Sequence, residues 1–363
     1  MIDLSHMQAA LGLARRGLGS TWPNPSVGCV IVADGVVVGR GRTADGGRPH
    51  AEPQALAMAG PKARGATAYV SLEPCCFHGH TPACTDALIA AGIACGVVGA
   101  RDPDARVNGA GIARLRAAGI EVVEDVLRNE AEKMAEGLIA RVLHGRPHVT
   151  LKLASTLDGR IATRAGHSQW ITGPDSRRAV HVLRGRSDAV MVGIGTALAD
   201  DPDLTCRLPD FKATPIVRVV ADSRLRIALT SKLVRDAGNV PTWLLARNDA
   251  DGARWDALAA LGVEVLGQPG NDTGLDLAAG LAALATRGIT RLLVEGGAML
   301  AAGLLRADLV DRVVWFHAPA VMGGDGLAAA AGWGVAALAD MRRYRTVATD
   351  IIGDDVMTVL ERG

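Results

Sequence analysis

His50-Ala51-Glu52, Glu73-Pro74-Cys75-Cys76 and Thr81-Pro82-Ala83-Cys84 fall between positions 50 and 84. They supply an imidazole, a carboxylate and spaced thiols in an otherwise ordinary stretch. Zn2+ held by three protein ligands in a tetrahedral site keeps its fourth position for water. The metal lowers the pKa of that water towards neutrality and makes a nucleophile available. Glu52, two residues from His50, can move protons without being a ligand. His50, Cys75 and Cys84 are the candidate ligands, and Glu52 is the candidate catalytic residue. Cys76 competes by position, but a Pro-Cys pair favours Cys75. Cys29, Cys95 and Cys206 lie in apolar or strand-like settings and read as structural.

A chain of 363 residues exceeds what one hydrophobic core usually serves. With 49% hydrophobic residues it can build two sizeable cores. The formal charge is +1, from 39 basic and 38 acidic residues, and aromatics make up 3%. Neither a basic surface nor stacking aromatics are indicated, so a nucleic-acid substrate is not expected. The start, Met1-Ile2-Asp3-Leu4, has no basic segment leading into an apolar run, and no apolar run is long enough for a membrane span. Six cysteines in a chain of this length fit metal binding in a reducing cytoplasm better than a disulfide scaffold.

Helical and strand patterns alternate in both halves, the signature of α/β layers. Met7–Arg16 has an amphipathic period. Val27–Val32 and Val36–Arg40 flank Asp34-Gly35, a hairpin signal. A helical run opens at Pro49-His50, and Ala66–Leu72 reads as a strand leading to Glu73-Pro74. A polar-faced helix, Arg128–Leu143, ends in His144-Gly145-Arg146-Pro147, a stop signal. The pattern restarts at Pro147, giving two domains, 1–146 and 147–363.

In the second half, Arg291–Glu295 reads as a strand running into Gly296-Gly297 and then a helix. A glycine pair in that position exposes backbone N–H groups suited to a pyrophosphate. Gly193, Gly195 and Thr196 are expected to form a second close-approach loop. Lys152, Arg184 and Arg207 could hold a substrate phosphate by charge-assisted bonds. Gly39-Arg40-Gly41 partly matches a dinucleotide fingerprint, but it lacks the third glycine and sits in the other half, so it is discounted. These residues by themselves describe a nucleotide-binding α/β domain.

The motifs taken together resemble the bifunctional deaminase–reductases of riboflavin biosynthesis. The resemblance is carried by Trp22-Pro23-Asn24-Pro25-Ser26-Val27-Gly28, His50-Ala51-Glu52, Glu73-Pro74-Cys75 and Gly79-His80-Thr81-Pro82-Ala83-Cys84. Nucleobase deaminases with a Pro-Cys-x-x-Cys pair space their thiols more closely. After Pro147 it continues through Lys152–Arg160, Ser168–Thr172, Gly193–Thr196, Asp200–Pro202, Leu204–Arg207, Asp222-Ser223 and Val294–Gly297. Departures touch the loop between the thiols. Cys76-Phe77 stands where a small hydroxyl and a His are usual, His80 replaces a basic residue, Ala83 replaces a Pro, and Pro53 follows Glu52.

The resemblance implies a cytidine-deaminase-like three-layer α/β domain followed by a dihydrofolate-reductase-like α/β domain. It implies zinc on His50, Cys75 and Cys84, with Glu52 as proton shuttle and Asn24 against the pyrimidine. NADPH would contact Ala154, Trp170, Thr196, Asp200, Ser223, Gly296 and Gly297. The substrate would contact Ser168, Arg184, Leu204, Arg207 and Glu295, with Lys152 matching the motif in a less defined role. The expected partner is a small pyrimidine ribosylamine phosphate, with no nucleic acid and no membrane, and a homo-oligomeric cytoplasmic enzyme is expected.

Overall fold

The computed structural model describes residues 2–211, 214–271 and 274–363. The chain divides into two compact units, Met1–Arg146 and Pro147–Gly363.

In the first unit the elements run α1 (Leu4–Gly17), β1 (Gly28–Ala33), β2 (Val36–Arg42), α2 (Ala51–Ala59), β3 (Thr67–Leu72), α3 (Cys84–Ala91), β4 (Cys95–Ala100), α4 (Ala110–Ala117), β5 (Glu121–Val123) and α5 (Arg128–His144). Among the described residues they build a five-stranded sheet in the order β2-β1-β3-β4-β5. The β1–β2 hairpin turns at Asp34-Gly35, where both φ angles are positive, 48° and 76°. That is the two-residue turn whose twist matches the strands.

Side chains alternate between the faces of a strand. Gly28 of β1 turns towards α1, where an added Cβ would stand 1.9 Å from the Ala10 carbonyl oxygen. Gly41 pairs with Cys29, one residue further along β1, so it faces the opposite side. An added Cβ there would stand 2.4 Å from the Ala51 carbonyl oxygen, and one on Gly39 would stand 2.2 Å from that of Ala55. Helices therefore cover both faces, which makes three layers. The pair discounted as a dinucleotide fingerprint is the seat of α2.

The second unit holds β6 (His148–Thr156), β7 (Arg160–Ala162), α6 (Pro174–Gly185), β8 (Ala189–Gly193), α7 (Ile194–Asp200), β9 (Val217–Ala221), α8 (Lys232–Arg235), β10 (Thr242–Arg247), α9 (Gly252–Ala260) and β11 (Glu264–Gln268). It continues with the short ribbon β12 (Gly270–Asn271) and β13 (Gly274–Leu275), then α10 (Leu277–Thr286), β14 (Arg291–Val294), α11 (Ala298–Arg306), β15 (Arg312–Ala318), β16 (Leu327–Ala328), β17 (Tyr344–Ile352) and β18 (Asp355–Arg362). Among the described residues the main sheet has nine strands in the order β11-β10-β9-β8-β14-β6-β15-β18-β17. The first seven run parallel, β18 runs antiparallel to β15, and β17 antiparallel to β18. From β8 the chain winds outward to β11 and then returns to insert β14 between β8 and β6. Ligands in open α/β sheets bind beyond the carboxyl ends of the strands at such a reversal.

Two buried carboxylates tie distant segments together. Asp188, ahead of β8, accepts from the Thr290 amide (2.8 Å), the Thr290 hydroxyl (2.7 Å) and the Arg291 amide (2.9 Å), which fixes the start of β14. Asp355, opening β18, accepts from the Gly173 amide (2.7 Å) and the Ser176 hydroxyl (2.5 Å) at the N-terminus of α6. The sequence reading of Gly193, Gly195 and Thr196 as a loop is corrected: Gly193 is an extended N-cap and Ile194–Asp200 is helical. The glycine there disguised the helix by its low propensity. No helix among the described residues is long and apolar enough to cross a membrane.

Gly41→Ala should lower the stability of the first unit by about 1–3 kcal/mol, because backbone, not a flexible side chain, fills the space its methyl needs. Calorimetry measures this, and an unchanged melting transition would contradict the seating of α2.

Candidate functional site

His50 is the extended N-cap of α2 (φ −66°, ψ 170°) and makes no capping hydrogen bond, so its ring is available to the cavity. Cys75 lies just past the end of β3, and Cys84 is the first residue of α3. His50 Nδ1 stands 3.3 Å from Cys84 Sγ and 3.7 Å from Cys75 Sγ. The three ligand atoms all lie within 4.8 Å of one another. Zinc–ligand lengths in a tetrahedral site give N···S edges of ~3.6 Å. The donor set therefore fits zinc in both chemistry and spacing. The start of α3 assists: the Cys84 amide donates to Cys75 Sγ (3.3 Å) and the Thr85 amide to the Cys75 carbonyl (3.1 Å). A hydrogen bond from the Cys84 thiol, supported by His50, holds the Cys75 thiol down to about 4. The shared interaction pushes the Cys84 thiol the other way. Cys76 turns aside and donates to the Arg106 carbonyl (3.4 Å).

Glu52, in the first turn of α2, is 3% exposed and lines the same cavity of about 130 Å³ as His50, Cys75 and Asn24. Burial raises its carboxyl pKa. Asn24 donates to the Gly47 carbonyl (2.8 Å), which pins its side chain at the rim. Glu73 is buried and accepts from the amides of Asp102, Gly109 and Ile112 at 3.0–3.3 Å, which ties the loop after β4 to the strand leading to Cys75. The sequence reading did not single out Arg48, Asp102, Asp104 or Arg106, which also line this cavity. Asp102-Pro103-Asp104 directly after a strand was the signal available for two of them. Burial raises the Asp102 carboxyl to about 6.

In the second unit a cavity of about 510 Å³ gathers nearly every residue expected there. Lys152, Ala154, Ser168, Trp170, Arg184, Thr196, Asp200, Leu204, Arg207, Glu295, Gly296 and Gly297 line it. Ser223 is not among the lining residues. It follows the end of β9, beside the β8 end that carries Gly193.

Arg184 and Glu295 face each other. Arg184 Nε donates to Glu295 Oε1 (2.5 Å), one Nη to Oε2 (2.8 Å), and the other Nη to the Thr205 carbonyl (3.0 Å). Both side chains are largely buried, at 12% and 8% exposure. The guanidinium fork expected for a phosphate is thus engaged by a carboxylate. Desolvation opposes both charges, while the pairing raises Arg184 and lowers Glu295. Glu295 directly follows β14, whose Val294 pairs with Leu151, so it stands beside Lys152. Burial lowers the Lys152 pKa against the pull of Glu295. Arg177, not anticipated from sequence, lies 4.7 Å over the Trp170 ring and donates to the Thr172 carbonyl (2.8 Å). Gly296 and Gly297 have φ of 138° and 92°, and a Cβ on Gly297 would stand 3.2 Å from Thr196 Oγ1. That leaves a side-chain-free cradle at the start of α11, which suits a nucleotide phosphate.

The fold and the two cavities define a two-unit enzyme, a zinc-type deaminase unit followed by a nucleotide-dependent reductase unit. Residues 1–100 match the cytidine and deoxycytidylate deaminase zinc-binding region, and residues 147–356 match the RibD C-terminal domain. The riboflavin biosynthesis protein RibD of Escherichia coli is 42% identical, with 98% of each chain covered. That of Aquifex aeolicus is 39% identical, with 99% of each covered. Among solved structures, RibD of Acinetobacter baumannii superposes with a TM-score of 0.88 at 36% identity, covering 99% of both chains. A diaminohydroxyphosphoribosylaminopyrimidine deaminase/5-amino-6-(5-phosphoribosylamino)uracil reductase of Thermotoga maritima superposes with a TM-score of 0.86 at 34% identity, covering 99% and 98%. The chain belongs to the RibD family and is a bifunctional deaminase–reductase of riboflavin biosynthesis.

Removing one partner of the buried ion pair leaves an uncompensated charge, so Arg184→Met should cost about 3–5 kcal/mol. Replacing both, Arg184→Met with Glu295→Leu, should recover most of that stability in urea unfolding. For Asp102, the folded state holds its proton more tightly than the unfolded chain, whose carboxyl titrates near ~3.9. Its contribution therefore falls as pH rises from about 4 to about 6. Asp102→Asn should flatten the stability profile across that window by about 2–3 kcal/mol. Equal slopes in wild type and variant would contradict the burial of this carboxyl.

Proposed function

We propose that the first unit deaminates 2,5-diamino-6-ribosylamino-4(3H)-pyrimidinone 5′-phosphate and that the second reduces the ribosyl group to ribityl, giving 5-amino-6-ribitylaminouracil 5′-phosphate. The observation that carries this reading is the His50–Cys75–Cys84 cluster, with Glu52 lining the same cavity as His50 and Cys75. Zinc bound there supplies a water of lowered pKa. Glu52 takes a proton from the attacking water at its carboxylate and returns it to the departing exocyclic nitrogen, which leaves as ammonia. Burial of Glu52 suits that cycle, since a raised carboxyl pKa brings it nearer the operating pH. Asn24, anchored through Gly47, holds the pyrimidine edge.

In the second unit NADPH supplies hydride to C1 of the ribosyl group. The chain's part is orientation and electrostatics. Gly296, Gly297 and Thr196 receive the cofactor phosphates, while Ala154, Trp170, Asp200 and Ser223 position the rest of it. Ser168, Leu204, Arg207 and Lys152 meet the substrate. In this reading Arg184 acts chiefly by holding Glu295 ionised and aimed beside Lys152. The thiol ligands suit a reducing cytoplasm.

Glu52→Gln should reduce ammonia release by at least about a hundredfold, the scale of a lost proton-transfer group. NADPH oxidation on substrate already deaminated should stay unchanged. A coupled assay of ammonia and NADPH, with zinc content measured on the same sample, checks this. Loss of both activities, or of neither, would sink the assignment of two independent sites.

A further inference from the structure

The first cavity must accept a phosphorylated pyrimidine although its walls carry four carboxylates, Glu52, Glu73, Asp102 and Asp104. A phosphate monoester brings a charge of about −1.5 to −2 at neutral pH. It has to settle where cationic field is not already cancelled. Arg106 is not such a place: its guanidinium is paired with Asp104 through Nε (3.0 Å) and Nη2 (2.5 Å) and is stacked 4.2 Å over the Phe77 ring. His80, where the family usually has a basic residue, is exposed and does not line the cavity.

Arg48 is different. It is half-buried, it lines the cavity, and no ion pair of the described residues includes it. One Nη donates to Thr81 Oγ1 (2.8 Å), which plants the guanidinium on the loop between the two cysteine ligands. The other Nη has no hydrogen bond among the described residues, and a Cβ on Gly79 would reach it only at ordinary contact distance, 3.9 Å. Thr81 lines the same cavity and adds a hydroxyl next to that charge, while the Gly79 amide donates to the Thr81 carbonyl (3.2 Å) and holds the loop in place.

We infer that Arg48, seated on Thr81, is the phosphate-recognition residue of the deaminase cavity and binds the substrate's 5′-phosphate. This rests on the deamination reading above. A guanidinium with a free edge recognises phosphate by paired, charge-assisted donors, which an imidazole at an exposed loop tip does not supply. Arg48 is a specificity residue in this account. It binds the far end of the substrate and takes no part in proton transfer at Glu52.

The test compares ammonia release from the 5′-phosphorylated substrate and from its phosphate-free nucleoside in the full-length zinc-loaded enzyme. Wild type should prefer the phosphorylated compound, and Arg48→Met should raise its KM by about tenfold to a hundredfold, the range of a lost hydrogen-bonded charge. The nucleoside should be handled as before, so the preference disappears. His80→Ala should leave the preference intact. If Arg48→Met proves unstable, Arg48→Lys is read instead and should lose several-fold, since a point charge cannot pair two phosphate oxygens. Undiminished preference in the Arg48 variant, or its loss in His80→Ala, overturns the inference. Failure of wild type to release ammonia from either compound would overturn the deamination reading itself, a separate outcome.

Discussion

The first site depends on the absence of two side chains. Gly39 and Gly41 let α2 lie with its backbone against β2, closer than any Cβ would permit. That approach fixes where α2 begins, and its beginning carries the chemistry: His50 as N-cap and Glu52 in the first turn. The other two candidate ligands come from the passage between β3 and α3, where α3 donates two backbone amides to Cys75. Three chain segments are thus held largely by backbone contacts, which leaves the imidazole and the two thiols facing one another at a spacing that could hold a metal. Such preorganisation puts the ligand geometry under the control of the scaffold rather than of the ion.

The second site is built by a different device. Its parallel strands bring β6 and β14 side by side, and the register sets Glu295 next to Lys152. Arg184 reaches in from α6 to complete a charged triplet within a largely buried wall. Buried pairs of this kind contribute little net stability, because desolvation offsets their attraction. Their value is in orientation: a carboxylate gripped by two guanidinium donors has one pose. Asp188, tying β8 to the start of β14 through Thr290 and Arg291, keeps the strand that presents Glu295 in register.

Much of this is legible in the sequence alone. The candidate metal ligands and Glu52 sit within one short stretch, where local spacing reports chemistry, and the structure brings them together. The hairpin at Asp34-Gly35 was readable because positive φ at both positions calls for those residue types. The cavity of the second unit collected its expected residues apart from Ser223, largely because the family resemblance carries long-range information. What stayed hidden was pairing across distance. Nothing in the sequence couples Arg184 to Glu295, 111 positions apart, so the arginine read as a phosphate ligand. The glycines at 39 and 41 read as a failed nucleotide motif because close helix–strand packing has no local signature. Arg48 has no such local signal, because its meaning lies in Thr81, which folds back onto it from the loop between Cys75 and Cys84.

The bond between Asp355 and Ser176 spans 179 positions and seats the first turn of the helix that delivers Arg184. During synthesis at roughly 5–20 residues per second, that anchor emerges on the order of ten to forty seconds after the helix itself. Every residue of the first unit's core cluster lies before residue 146. All three candidate metal ligands therefore leave the ribosome well before the reductase half gains its final strands. The two halves mature in the same order in which their reactions run.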